Sequence, residues 1–366
     1  MRPFYISATM QDSGKTTIII GLIQAFRDLG HDVGYMKPVG QRYVNYEGVN
    51  VDEDAVLARE AFALADTPLD LSPIAVERGF TEEYIFNRNP VPLEERILAS
   101  FGRLREKHPL MVVEGTGHAG VGSCFDLSNA RVAELLGAGV IIVTDGGIGR
   151  AIDEVALSLI AFKRQGVHVL GVILNKVWHE KQAKVEKAVA QGLQNIGSRL
   201  LGTITYRPHL VQPCIEQIVT EVRGRILCGT HALNNRVQNT VIAAMAPQHV
   251  CGFVRDGTLV VTPGDRVDNI LVSIVACPAE VGGGKPVSGI LLTGGFKPPA
   301  SILALLEASG IPVILCNEDT YSVATRLKEL RFKIRPADTD KIEAAKDLIR
   351  SSINSAALLE ALKEVE

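Results

Sequence analysis

The sequence has little that would pull it toward a specialised class. Only one tryptophan occurs in 366 residues, and aromatics make up 5% of the chain. Neither sign of charge dominates: 38 lysines and arginines face 41 acidic residues, for a formal net charge of -3. That balance argues against a basic nucleic-acid footprint and against a polybasic membrane patch. No apolar run is long enough to cross a bilayer; Thr17 to Leu22 is far too short. The amino-terminal apolar stretch is interrupted by Asp12 and Lys15 and lacks a small-residue cleavage site, so no signal peptide is expected. The six cysteines form no Cys-x-x-Cys pair. Their spacing matches no zinc pattern, and reduced thiols in a cytoplasmic protein are expected. Low-complexity tracts and internal repeats are also missing.

What is present is an ordinary globular composition, 46% hydrophobic and 22% charged, in a chain long enough for two or three domains. Through about residue 210, short apolar runs alternate with amphipathic ones. Phe4 to Ala8, Val33 to Met36, Leu110 to Val113, Val140 to Val143 and Val169 to Leu174 read as strands apolar on both faces. Thr16 to Leu29 reads as a helix with Leu22, Phe26 and Leu29 on one face and Gly30 closing it. Ile152 to Gln165 reads as a crossover helix. The pattern predicts an α/β fold with a doubly wound, mostly parallel sheet over residues 1–210.

A second, smaller α/β unit is expected over 215–335. Arg225 to Cys228, Val250 to Phe253, Thr258 to Thr262, Ile290 to Leu292 and Val313 to Leu315 read as its strands. Val241 to Met245, Ser301 to Ser309 and Ser322 to Leu330 read as helical, and Gly282-Gly283-Gly284 as a flexible loop. Residues 336–366 are expected to form a mostly exposed helical tail.

The chemistry concentrates at Asp12-Ser13-Gly14-Lys15-Thr16-Thr17, between the first strand and the first helix. A loop in that context turns backbone N–H groups toward phosphate oxygens. Gly14 lets the backbone curl around the phosphates, Lys15 brings positive charge to the β and γ phosphates, and Thr16 offers a hydroxyl to magnesium. The strict phosphate-loop pattern would put glycine where Thr9 stands; a longer spacing, with the small residue Ala8 in that place, fits.

Ala8 to Thr17, then Gly34-Tyr35-Met36-Lys37-Pro38-Val39, then Val112-Val113-Glu114-Gly115 resemble dethiobiotin synthetase, in the family's order. That family belongs to the ATP-dependent amidating and carboxylating ligases, which include cobyrinic acid diamide synthases. The resemblance implies ATP and Mg2+ as cofactors. It also implies magnesium ligation by Thr16, Asp54 and Glu114, with Asp52 and Glu53 as rivals for the Asp54 role. Charged residues opening a helix are the plainer reading of Asp52 to Asp54. Lys15 and Lys37 would act on the transferred phosphate, with Lys37 also touching substrate, and Asn175 would recognise the purine. Asn175 could instead end its strand in a turn. His118, after Glu114-Gly115-Thr116-Gly117, is a loop residue near the site and is not assigned a role.

The chain departs from that family at Ala8 and at Gly40-Gln41-Arg42-Tyr43, where the family has a small-residue run against its substrate. Residues 63–92 have no counterpart in it. Gly264-Asp265-Arg266 and Thr293-Gly294-Gly295 resemble the DRTGG domain, supported by Asn317-Glu318-Asp319-Thr320-Tyr321. The pair of domains resembles the N-terminal part of long phosphate acetyltransferases. No acetyltransferase domain fits in the remaining residues, so acetyl transfer is not expected of this sequence. Asp265 and Arg266 could pair with each other or bind an anion, and the glycines could form a purely structural turn.

Two functions stay open at this level. One is an ATPase or ATP-dependent ligase acting on an unnamed acid substrate. The other is a regulatory module that binds nucleotide as a signal. A homodimer is expected by the same resemblance, with nucleotide and a small molecule as ligands, and no nucleic acid or membrane partner.

Overall fold

The structure is a computed structural model that describes residues 1–280, 287–330 and 332–363; the glycine loop 282–284 lies outside these. The described chain divides into two compact units, residues 1–210 with 334–366, and residues 211–333.

The first unit is built on six strands: β1 (Phe4–Ala8), β2 (Val33–Met36), β3 (Leu110–Glu114), β4 (Gly139–Asp145), β5 (Val169–Val177) and β6 (Leu200–Thr205). They lie in the order β6-β5-β4-β1-β3-β2, and every pair is parallel. From β1 the chain crosses to β2 at the sheet edge, returns to β3 beside β1, and then passes to the other side, moving outward through β4, β5 and β6. The carboxyl end of β1 is therefore the topological switch point, where open α/β sheets bind ligands. All five residues of β1 are buried, as a strand covered on both faces requires.

Helix α1 (Lys15–Asp28) buries Leu22 and Phe26, and Phe26 stacks on Phe4 with ring centroids 5.1 Å apart. Leu29 departs from the expected face and is 49% exposed. It caps the helix just before Gly30, whose φ of 86° turns the chain away. Helix α2 (Glu53–Phe62) follows a hairpin of Tyr43–Tyr46 and Val49–Asp52. The hairpin turn uses Glu47 and Gly48, both at positive φ, as a tight two-residue connection demands. Residues 63–92, unplaced by the sequence, carry two short helices, Pro68–Leu71 and Phe80–Phe86, on the way to α3 (Val91–Lys107). Helix α4 (Gly149–Arg164) joins β4 to β5, and α5 (Gln182–Asn195) joins β5 to β6.

In the second unit the strands β7 (Arg225–Cys228), β8 (Asn239–Ile242), β9 (Thr258–Pro263), β10 (Val287–Thr293) and β11 (Val313–Leu315) lie in the order β7-β11-β10-β9-β8. Only the β7–β11 pair is antiparallel. Helices α6 (Val267–Glu280), α7 (Ala300–Ser309) and α8 (Thr320–Glu329) complete the alternation.

Two elements of this unit are exchanged relative to expectation. Val241 and Ile242 end a strand rather than enter a helix, because β8 pairs in parallel with β9. Val250 to Phe253 is helical rather than extended. Pro247 opens a short helix there, and its fixed φ and missing N–H suit the first helical position.

The carboxyl-terminal segment is not an exposed tail. Helices α9 (Thr339–Ser352) and α10 (Ser355–Lys363) belong to the first unit and bury Ile342, Ala345, Leu348, Ile349, Leu358, Leu359 and Leu362. Gly21 of α1 is the contact point: a Cβ there would lie 2.2 Å from Ile349 Cγ1 and 3.0 Å from the Ala345 carbonyl. Only glycine lets the two helices approach so closely. The pattern in Asp338 to Lys363 showed helices, but a sequence does not reveal which bare face they will cover. Ile349→Ala is expected to cost about 2–5 kcal/mol, the range for truncating a buried isoleucine. Denaturant unfolding of the whole chain measures it, and a loss below 1 kcal/mol would show that the helices pack only loosely.

Candidate functional site

The loop after β1 is held from three sides. Thr9 N–H donates to the Val143 carbonyl at 2.9 Å, and Ala8 N–H to that of Gly117 at 3.2 Å. The Thr9 hydroxyl donates to Glu154 Oε2 at 2.8 Å, and Glu154 is itself paired with Arg150 at 2.7 Å. On the β5 side, Asn175 Nδ2 donates to the Ser13 carbonyl at 2.8 Å, and the Lys176 ammonium donates to the Asp12 carbonyl. Asp12 sits at φ 57° and Gly14 at φ 86°. A Cβ on Gly14 would stand 2.3 Å from Asn175 Nδ2. Glycine is thus fixed there by backbone conformation and by its neighbour at once.

Helix α1 begins at Lys15, and its first turn carries Thr16 and Thr17. The leading N–H groups of a helix have no intrahelical partner and carry the positive end of its dipole. With the loop clamped around them, they make a mouth whose donors are of the kind that receive anions.

Behind the mouth lies a buried polar cluster. The Thr16 hydroxyl donates to Glu114 Oε1 at 2.8 Å, and the Tyr35 hydroxyl donates to Glu114 Oε2 at 2.8 Å. Lys37 is 4% exposed. It pairs with Asp54, with Asp52 at 3.2 Å and with Glu114 at 3.6 Å. Burial pulls the lysine pKa down, but Asp54, Glu114 and Asp52 together raise it well above the ordinary value, favouring the charged form. Burial and then the Glu114 charge raise the Tyr35 phenol, which keeps it a donor to that carboxylate.

The structure separates the three acidic rivals. Asp54 is buried and faces Lys37. Asp52 has two tasks, since it accepts the Asp54 N–H at 3.0 Å as the cap of α2 and also pairs with Lys37. Glu53 turns outward to Arg42 at 3.6 Å. The Thr16 hydroxyl meets the Glu114 carboxylate directly, and Asp54 joins them only through Lys37; all three offer hard oxygens of the kind magnesium takes alongside phosphate and water. Among the described residues no three His, Cys, Asp or Glu side chains form a ready-made metal cage.

Sequence reasoning missed Tyr35 and Asn129. Asn129 accepts from the Tyr5 hydroxyl at 2.8 Å and from the Thr116 N–H at 2.9 Å. Its amide donates to the carbonyls of Thr116 and His118, so it fixes the loop after Glu114. For Tyr35 the available signal was a polar tip in an apolar strand, which needs a partner; Asn129 carried none. His118 is exposed and accepts from the Gly120 N–H at 3.2 Å.

In the second unit, Gly294 and Gly295 sit at φ 78° and 72°. Their N–H groups are taken by the carbonyls of Glu318 at 2.7 Å and Cys316 at 2.9 Å. Arg266 pairs with Asp268 at 2.9 Å rather than with Asp265. The motif glycines therefore make a structural turn, with the Thr293 and Thr320 hydroxyls 2.6 Å apart beside it.

Comparison with known proteins agrees with this division. Residues 2–214 match the AAA domain family and residues 217–330 the DRTGG domain family. Among curated proteins, the phosphate acetyltransferase of Synechocystis sp. is 26% identical over 373 residues, covering 99% of this chain and 52% of the relative. That of Nitratidesulfovibrio vulgaris is 27% identical, covering 97% and 51%, and that of Pseudomonas putida 29%, covering 97% and 51%. The chain spans about half the length of the curated relatives it matches. Among solved structures, the MinD cell division protein of Aquifex aeolicus is 15% identical, with a TM-score of 0.38 over 57% of this chain and 84% of its own. The two domains stand in the order found in the N-terminal part of long phosphate acetyltransferases, and the chain belongs to the AAA domain family, with a DRTGG domain after it.

Proposed function

We propose that the first unit binds a purine nucleoside triphosphate with magnesium, and that the chain serves as a nucleotide-responsive module. The observation that carries this is the clamped loop at Asp12 to Thr17 with Thr16 bonded to Glu114. In this reading Ser13, Gly14, Lys15, Thr16 and Thr17 hold phosphates, Asn175 lies toward the base, and Thr16, Asp54 and Glu114 hold the metal. Magnesium supplies charge neutralisation between the phosphates and the carboxylates.

The choice of module over ligase rests on Lys37 and on the segment after it. Lys37 is committed to three carboxylates. Gly40-Gln41-Arg42-Tyr43 runs into a hairpin instead of a small-residue substrate wall. The ligase reading keeps one support: Lys37 lies behind the mouth, where a transferred phosphate would form. Phosphate release from ATP, with and without carboxylic acid and amine substrates, separates the two. Turnover that depends on an acid substrate would establish the ligase.

Glu114→Gln is expected to weaken magnesium dependence more than nucleotide binding itself. The amide keeps the shape of the side chain and loses its charge. Titrating magnesium at fixed ATP checks this, and a wild-type magnesium profile would make Glu114 a bystander.

A homodimer is proposed on the ground that one open sheet edge covers only part of a bound ligand, and closed two-fold pairing is the commonest remedy. Light scattering of the whole chain at micromolar concentration with ATP and magnesium should give twice the chain mass. A monomer under those conditions overturns it.

A further inference from the structure

We infer that Trp178 and Tyr206 form the stacking platform for the base of the bound nucleotide; this rests on the nucleotide reading above. Trp178 is the only tryptophan in the chain and is 57% exposed. It leans on Tyr206, with ring centroids 5.0 Å apart and planes tilted by 59°. A large aromatic held in place by a second ring, yet open to water, presents a preformed π surface.

Its position in the fold gives that surface a use. Trp178 follows the last residue of β5, and the Tyr206 N–H donates to the Val177 carbonyl at 2.8 Å just beyond β6. Both rings therefore sit at the same carboxyl edge of the sheet as the phosphate loop. The residues between the rings and the loop are already joined to it. Asn175 bonds the Ser13 carbonyl, and Lys176 reaches the Asp12 carbonyl and Asp145. With the triphosphate at the start of α1, the rest of the nucleotide extending over β5 would meet Asn175 first and the rings next.

Asn175 has polar capacity left. One N–H goes to Ser13 and the oxygen accepts the Lys176 N–H at 2.8 Å, which leaves a second N–H and a second lone pair. Stacking by itself tolerates any base, because every base has a π face. The two-ring area of a purine gives more contact than a pyrimidine.

The sole tryptophan makes the test direct. The intact chain with magnesium is titrated with ATP and, separately, with tripolyphosphate, while melting temperature and tryptophan emission are followed. ATP is expected to raise the melting temperature and change the emission; tripolyphosphate is expected to raise the melting temperature alone. Trp178→Ala should weaken ATP binding about tenfold, within the range for losing one base-stacking contact, and leave tripolyphosphate binding unchanged. Trp178→Phe should restore most of the loss. Unaltered ATP affinity in Trp178→Ala, or ATP stabilisation with constant emission, overturns the platform and leaves the phosphate loop standing. Emission that follows protein concentration instead of ATP would assign the rings to a subunit contact and also overturn it. If neither ATP nor tripolyphosphate stabilises the chain, the nucleotide reading fails and the platform with it.

Discussion

Lys15→Ala is expected to abolish the rise in melting temperature that ATP with magnesium gives the intact chain. A ligand bound only by the native state stabilises it by about 2.7 kcal/mol when present at a hundred times its dissociation constant. For a unit of this size that corresponds to roughly 5–10 °C. Lys15 opens α1 and is 8% exposed, so its ammonium would meet the phosphates with little water between them, where charge is least screened. The variant keeps the loop backbone, since Gly14 and the Asn175 bond to the Ser13 carbonyl are untouched. Thermal scans over a range of nucleotide concentrations measure the effect. A shift as large as that of the unaltered protein would remove the phosphate-loop assignment.

The second large effect concerns Lys37. Lys37→Met should destabilise the first unit by about 3–5 kcal/mol, because it leaves buried carboxylates without their partner. Asp52, Asp54 and Glu114 would then repel one another, and added magnesium should recover part of the loss by taking the place of the ammonium. Denaturant midpoints with and without magnesium test both statements. A midpoint within 1 kcal/mol of the unaltered chain would mean that the cluster is not the buried network described. In the unaltered protein the folded pKa of Lys37 lies above its usual 10.5. Its contribution to stability is therefore complete below about pH 10 and is lost only as pH rises through the higher folded value.

The first unit was legible in the sequence because its strands are buried on both faces and its helices are long and periodic. Phe4–Ala8 and Val33–Met36 have the expected bounds. The loop was legible because glycine, lysine and two threonines follow a buried strand in one short stretch. What the sequence hid depends on distant partners. Asp54 has Asp52 and Glu53 as rivals that spacing cannot exclude, until packing buries Asp52 and Asp54 around Lys37 and turns Glu53 to Arg42. Tyr35 is an ordinary strand residue until Glu114 lies 2.8 Å from its hydroxyl. Val241 to Met245 and Val250 to Phe253 were misread because short apolar runs carry no period long enough to tell strand from helix.

The return of the last two helices to the first unit has a consequence for synthesis. Ribosomes add about 5–20 residues per second, and 156 residues separate Leu210 from Glu366. For roughly 8–30 s after its sheet strands have been made, the nascent first unit lacks the helices that cover Gly21 and its neighbours on α1. During that interval the apolar flank of α1 is open to chaperones or to a neighbouring nascent chain. Synthesis of those two helices is the event that shuts it.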